Sequence, residues 1–257
     1  MGKIVAVHSY KGGTGKTLLS TNLAVTLAKH DKKVCLMDLD FRAPSLSTLF
    51  NIEKAEFWLN DYLNGVCDIN KTMVDLSDRI ASPGKFFVCL ANPSVEAIRD
   101  MSSKDRKWEM RALAKLLSLR NLLLNDKGFD YLIFDTSPGL QYSSINAIVT
   151  ADIVIVATTM DSSDVAGTKR MLRELYDLFE KKTEIALNKV LCDSSLKYQK
   201  EKFQKMAKEI YGVPLLGVIP CFCDISTAEE KVMFVHQKFD HPFAKILEEM
   251  AAKIDRL

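Results

Sequence analysis

Ile4-Val5-Ala6-Val7, then Tyr10-Lys11-Gly12-Gly13-Thr14-Gly15-Lys16-Thr17, then a helical pattern over 16–29: this order of strand, glycine-rich turn and helix decides the fold. The glycines allow positive φ and keep side chains out of the way, so backbone N–H groups can wrap a phosphate. A helix beginning near Lys16 adds the positive end of its dipole. In that setting Lys16 places a mobile cation on the β- and γ-phosphates, and Thr17 offers a hydroxyl to Mg²⁺. The stretch departs from the general G-x-x-x-x-G-K-[ST] pattern at its first position, where Tyr10 stands in place of glycine. A chance glycine turn explains Gly-Lys-Thr at a strand-to-helix junction poorly, because two more glycines lie just upstream.

Beyond the loop, short aliphatic and β-branched runs alternate with longer helical patterns. Ile4–Val7, Val34–Met37, Phe86–Leu90, Tyr131–Phe134, Ile153–Ala157, Ile185–Leu187 with Val190, and Leu215–Ile219 read as buried strands. Helices are expected over 16–29, 104–125, 164–180 and 194–211. Continuous apolar strands separated by helices predict an α/β fold, a mainly parallel sheet with helices on both faces. No internal repeat, low-complexity tract or Pro/Gly/Ser-rich linker divides the chain, so one domain over 1–257 is expected. Periodicity weakens over 41–85, which holds Trp58, Tyr62 and a Ser82-Pro83-Gly84 turn. That stretch is expected over the sheet's edge or the mouth of the nucleotide site.

Composition narrows the function classes. The 257 residues are 47% apolar and 26% charged, which suits an ordinary globular protein with a sizeable core. A net charge of +2 gives no general pull toward nucleic acid or anionic membrane, so such a partner would need a local patch. Of six cysteines, Cys35 and Cys89 sit inside apolar runs, where Cys acts as a small hydrophobe. With no secretory n-region and h-region pattern and no membrane-spanning run, a reducing cytosol is the expected compartment.

Two acidic motifs end later strands. Met37-Asp38-Leu39-Asp40 follows the second run, where open α/β sheets bind ligands, and Asp38 and Asp40 share one side of an extended strand. Ordinary turn chemistry competes with this reading, since Asp often ends strands. Tyr131-Leu132-Ile133-Phe134-Asp135 has the form of a Walker B strand, whose carboxylate holds Mg²⁺ through water. Asp135-Thr136-Ser137-Pro138-Gly139 follows on, with Gly139 placed for its backbone to sense a γ-phosphate.

Lys-Gly-Gly-Thr-Gly-Lys-Thr over 11–17 resembles the deviant Walker A loop of the ParA/MinD family, a SIMIBI-type P-loop NTPase group. The resemblance runs from Lys3 to about Pro220, with motifs in family order. It implies an ATP-binding switch in which Lys11, the signature lysine, reaches the nucleotide of a partner subunit, so that homodimerisation depends on ATP. It also implies slow ATP hydrolysis, with Lys11, Lys16 and Asp40 as catalytic residues, Asp40 orienting the attacking water. Thr17, Asp38 and Asp135 would hold Mg²⁺. Leu18 stands where family members often carry Thr or Ser, leaving only its backbone N–H for the α-phosphate. Asn188, after Leu187, would read the base, with Pro220 and Cys221 beside it. The family's usual Asp-x-Pro-Pro-Gly appears here with Ser137 in place of its first proline.

Other features bear on the partner, an unidentified protein cargo or regulator. Cys221-Phe222-Cys223 from two subunits would supply four thiolates, so a metallochaperone carrying nickel or another soft metal is the alternative reading. Lys197, Lys200, Lys202, Lys205 and Lys208 line one helix and would suit DNA, although a solvated face is the commoner meaning. Phe243, Ile246, Leu247, Met250, Ile254 and Leu257 form an apolar stripe. The opposite side balances Lys245, Lys253 and Arg256 against Glu248, Glu249 and Asp255, so a helix packed on the sheet is expected before a membrane-binding one. A bacterial-type tyrosine kinase is set aside for lack of a C-terminal tyrosine cluster. A scaffold without turnover is disfavoured by the presence of Asp40 and both loop lysines.

Overall fold

All seven expected runs enter one sheet in the computed structural model, which describes residues 2–80, 82–176, 179–191, 196–228 and 233–257. The strands are β1 (Lys3–His8), β2 (Lys33–Leu39), β3 (Met73–Asp75), β4 (Lys85–Cys89), β5 (Tyr131–Thr136), β6 (Ile153–Thr158), β7 (Lys182–Val190) and β8 (Leu215–Pro220). Their order is β3-β4-β2-β5-β1-β6-β7-β8. Among the described residues every pairing is parallel except β3 with β4. The helices are α1 (Lys16–Lys29), α2 (Leu46–Leu49), α3 (Leu59–Asn64), α4 (Ser77–Ile80), α5 (Val95–Ser102), α6 (Arg106–Leu119), α7 (Tyr142–Thr150), α8 (Ser162–Met171), α9 (Leu196–Tyr211), α10 (Cys223–Thr227), α11 (Phe234–Gln237) and α12 (Pro242–Arg256).

Alternation along the strands builds two cores, one on each face. Ile4, Ala6, Leu132, Phe134, Val154 and Val156 face one way and pack with Leu116 and Leu119 of α6, Ala147 of α7 and Phe203 of α9. Val5, Val7, Ile133, Ile153 and Ile155 face the other way, against Leu19, Leu23 and Leu27 of α1 and Leu247, Met250 and Ile254 of α12. Each such side chain, fully buried, contributes about 1.5–3 kcal/mol. The C-terminal stripe is therefore core, as expected, and not a free amphipathic face.

Several boundaries differ from the sequence expectation, each for a local reason. The helix expected over 104–125 begins at Arg106, because Asp105 caps it by accepting from the Trp108 N–H at 2.8 Å. It ends in a π-helical turn over Arg120–Asn125. The helix expected from 164 begins at Ser162, capped by Asp161. Within 41–85, Met73–Asp75 form β3, a three-residue antiparallel strand at the sheet's edge beside β4. The side chains of Lys197 and Lys200, and all of Cys192, fall outside the described residues. In α9, Lys202, Lys205 and Lys208 are exposed while Phe203, Ala207 and Tyr211 face the core.

Candidate functional site

The loop between β1 and α1 is shaped by Gly15, which sits at the N-cap of α1 with φ 94, a left-handed conformation that side chains resist. A Cβ there would also fall 2.2 Å from Nδ2 of Asn188. The next residue, Lys16, is only 7% exposed. Burial lowers its pKa, and the carboxylates of Asp135, Asp40 and Asp164 act against that shift. A buried ammonium at a helix N-terminus, facing open backbone amides, is built to meet a polyanion.

Three aspartates gather at the C-terminal ends of β2 and β5. Asp38 and Asp135 are direct neighbours in the strand register, and both are about 1% exposed. Burial pushes the Asp38 carboxyl well above the usual carboxylate range, and the adjacent Asp135 charge adds to it. Burial likewise raises Asp135 to about 6, with the Thr17 and Ser20 hydroxyls and the Lys16 ammonium pulling the other way. Oδ1 of Asp135 is buried without a hydrogen-bond partner. Two crowded carboxylates with raised pKa values and an unsatisfied oxygen, next to the Thr17 hydroxyl, fit a hard divalent cation. Asp40 is placed differently: its Oδ1 accepts from the Ala43 N–H at 3.2 Å and from the Ser137 hydroxyl at 2.9 Å. That second bond joins the segment after β2 to the segment after β5.

His8 closes β1 just before the loop and was not singled out from the sequence. It is fully buried, its Nδ1 lies 2.8 Å from the Thr136 hydroxyl, and burial with the nearby Lys16 charge lowers its pKa to about 3. A neutral imidazole therefore ties β1 to the end of β5. Ser137 was visible only as a departure from a proline.

The two loop lysines occupy opposite environments. Lys11 is 41% exposed, and its ammonium lies 3.2 Å from Asp161 and hydrogen-bonds to Ser163, both at the start of α8. Exposed apolar side chains occur in the segments that meet here: Tyr10 next to Lys11, Met160 next to Asp161, and Leu140 and Tyr142 just after Gly139. The loop of Leu140 is tied in place by the Gly139 N–H donating to the Ser9 carbonyl at 2.8 Å.

Across the loop, a small cleft is lined by Leu18, Asn188, Pro220, Cys221, Phe222 and Phe243. This brings together the residues expected to hold a base. Asn188 does more than line it: its Nδ2 donates to the Thr14 carbonyl at 2.7 Å, and its Oδ1 accepts from the Lys189 N–H at 2.9 Å. Lys189, also missed from the sequence, donates from Nζ to the Gly13 carbonyl at 2.7 Å. Cys221 and Cys223 are exposed, and no group of three or more His, Cys, Asp or Glu able to hold a metal occurs among the described residues.

Comparison with known proteins agrees with this geometry. Residues 2–191 match the AAA_31 family, described as an AAA domain. The chain is 28% identical over 251 residues to an uncharacterized ATP-binding protein of Methanocaldococcus jannaschii, covering 97% of this chain and 86% of that protein. It is 29% identical over 221 residues to the septum site-determining protein MinD of a Synechocystis species, covering 86% and 76% respectively. Among solved structures, MinD of Pyrococcus horikoshii complexed with Mg-ADP superposes with a TM-score of 0.75 at 22% identity, over 100% of this chain and 97% of that one, a likeness of fold. The chain belongs to the AAA_31 family and is a P-loop ATPase of the ParA/MinD type.

Proposed function

We propose that the protein binds Mg-ATP, forms a homodimer with it, and hydrolyses it slowly as a switch that positions or regulates a protein cargo. The observation that carries this reading is the contrast between the two loop lysines. Lys16 is buried near Asp135 and Asp40, whereas the Lys11 side chain is 41% exposed and held at the surface by Asp161 and Ser163. Lone exposed apolar residues are normal, but Tyr10, Leu140, Tyr142 and Met160 all lie in the segments that meet at this loop and suit contact with a second copy of the chain. In this reading Lys16 and the amides of Gly12 to Leu18 hold the phosphates, and the base lies in the cleft beside Asn188, Pro220 and Cys221. Thr17, Asp38 and Asp135 would hold Mg²⁺, whose charge would offset that of the phosphates. Asp40, held by Ser137, orients the attacking water, and Lys11 reaches the partner's nucleotide. The whole chain, 1–257, acts as one cytoplasmic domain. No helix among the described residues is long and apolar enough to cross a membrane.

Light scattering with and without ATP tests the switch. The mass should double with ATP, Lys16→Ala should lose nucleotide binding, and Lys11→Ala should keep binding but stay monomeric. A wild-type mass unchanged by ATP refutes the reading. The soft-metal alternative is not favoured, because Cys221 and Cys223 bring no third ligand within the described chain.

A further inference from the structure

We propose that Asp161 and Ser163 form a clasp that holds Lys11 within its own subunit, and that this clasp must open before Lys11 can serve another. The inference rests on the dimer reading above for the use of Lys11, but the clasp itself is a feature of one chain.

The geometry is specific. Lys11 Nζ lies 3.2 Å from Asp161 Oδ1 and also bonds the Ser163 hydroxyl, which in turn bonds the same Asp161 oxygen. Asp161 is not a free surface carboxylate. It is the N-cap of α8, taking the backbone N–H groups of Ser163 and Asp164, each at 3.1 Å. The Ser163 hydroxyl, the Asp164 N–H and the lysine hold its pKa down at about 2, so it stays charged. The loop carrying it is anchored from below by Asp164, which is 1% exposed and accepts from the Thr159 N–H at 2.7 Å and the Thr158 hydroxyl at 3.2 Å.

The neighbouring residue is moored to the same helix. A Cβ built on Gly167 would fall 1.9 Å from Cε1 of Tyr10, so the Tyr10 ring lies directly on the α8 backbone where only glycine leaves room. The Ser9 hydroxyl donates to the Lys11 carbonyl at 2.6 Å. Residues 9–11 are thus seated on α8 and on their own loop. A lysine whose ammonium already has a carboxylate and a hydroxyl must release both to reach a phosphate outside the subunit.

An exposed ion pair of this kind shifts an equilibrium by about 1.4- to 5-fold. Two clasps open per symmetric dimer, so their joint effect is about 2- to 25-fold. That size suits a brake which ATP can overcome.

Asp161→Asn is the informative variant, because Asn caps helices as well as Asp but carries no charge. In an Asp40→Ala background that preserves ATP, it should tighten the ATP-dependent dimerisation constant about 2- to 25-fold. Without nucleotide, it should speed acetylation of Lys11 by an N-hydroxysuccinimide ester, followed by mass spectrometry, about 1.4- to 5-fold. Adding Lys11→Ala should erase the gain in dimerisation. An Asp161→Asn protein that dimerises no better than its parent overturns the clasp as a brake. If neither protein dimerises with ATP, the dimer reading falls, and the clasp stands or falls on acetylation: equal Lys11 rates overturn it.

Discussion

Asp135→Asn should stabilise the nucleotide-free protein while damaging the proposed Mg²⁺ site. Burial holds the Asp135 carboxyl at about 6, above its ordinary value of 3.8. At about 1.4 kcal/mol per pH unit, ionising it inside the fold costs roughly 3 kcal/mol more than in the unfolded chain. The folded pKa is raised, so between about pH 4 and 6 the folded state binds the proton more strongly than the unfolded state. Stability from this group therefore falls as pH rises through that window, and the full cost is present above it. An amide of the same shape removes the charge. Allowing half the figure for local relaxation leaves about 1.5 kcal/mol, or a rise of roughly 3–6 °C in the unfolding midpoint for a chain of this size. Thermal denaturation at about pH 7.5 and about pH 4.5, without nucleotide, is the assay. The gap between variant and wild type should be full at the higher pH and shrink to about a third of that at the lower. A variant less stable than wild type at the higher pH, or a gap that ignores pH, would refute the argument that burial strains this carboxylate.

Other outcomes follow from the same structure. Asp40→Asn should keep ATP binding and slow single-turnover hydrolysis at least tenfold, since the amide cannot hold a water as the carboxylate does. Asn188→Ala removes the donor on the Thr14 carbonyl and one wall of the base cleft. It should weaken ATP binding about tenfold by titration calorimetry, as expected for roughly 1.4 kcal/mol. Leu247→Ala, at a fully buried position of α12, should cost about 2–5 kcal/mol in urea unfolding. A near-neutral result there would mean that the C-terminal helix is not core.

Much of this architecture could be read in advance because its signals are local. Aliphatic runs such as Ile153–Ala157 become interior parallel strands wherever they occur, and Lys16 follows Gly15 into the first helical turn by backbone chemistry alone. β3 was not legible: Met73-Val74-Asp75 is too short to show alternation and becomes a strand only because β4 offers it an edge. The aspartates Asp38, Asp40 and Asp135 are legible by their place at or after strand ends. The contacts that arrange them are not, since Ser137 and Asp40 lie 97 residues apart in sequence. Lys11 shows the same divide. Its presence was plain, whereas its seat on Asp161 depends on how α8 returns past the loop. One clue was available, because Asp161 followed by Ser162-Ser163-Asp164 after a strand is a helix-start pattern.

The pairing of Asp38 opposite Asp135 has an evolutionary consequence. Their adjacency is inherited from the alignment of β2 with β5, which Cys35↔Leu132 and Met37↔Phe134 share. Because residues alternate sides, a slip of one position would bury the wrong set of apolar side chains and send the two acids apart together. Selection for a well-packed interior and selection for metal chemistry therefore act on the same residues. Drift in the core is policed by activity, and drift at the site is limited by folding.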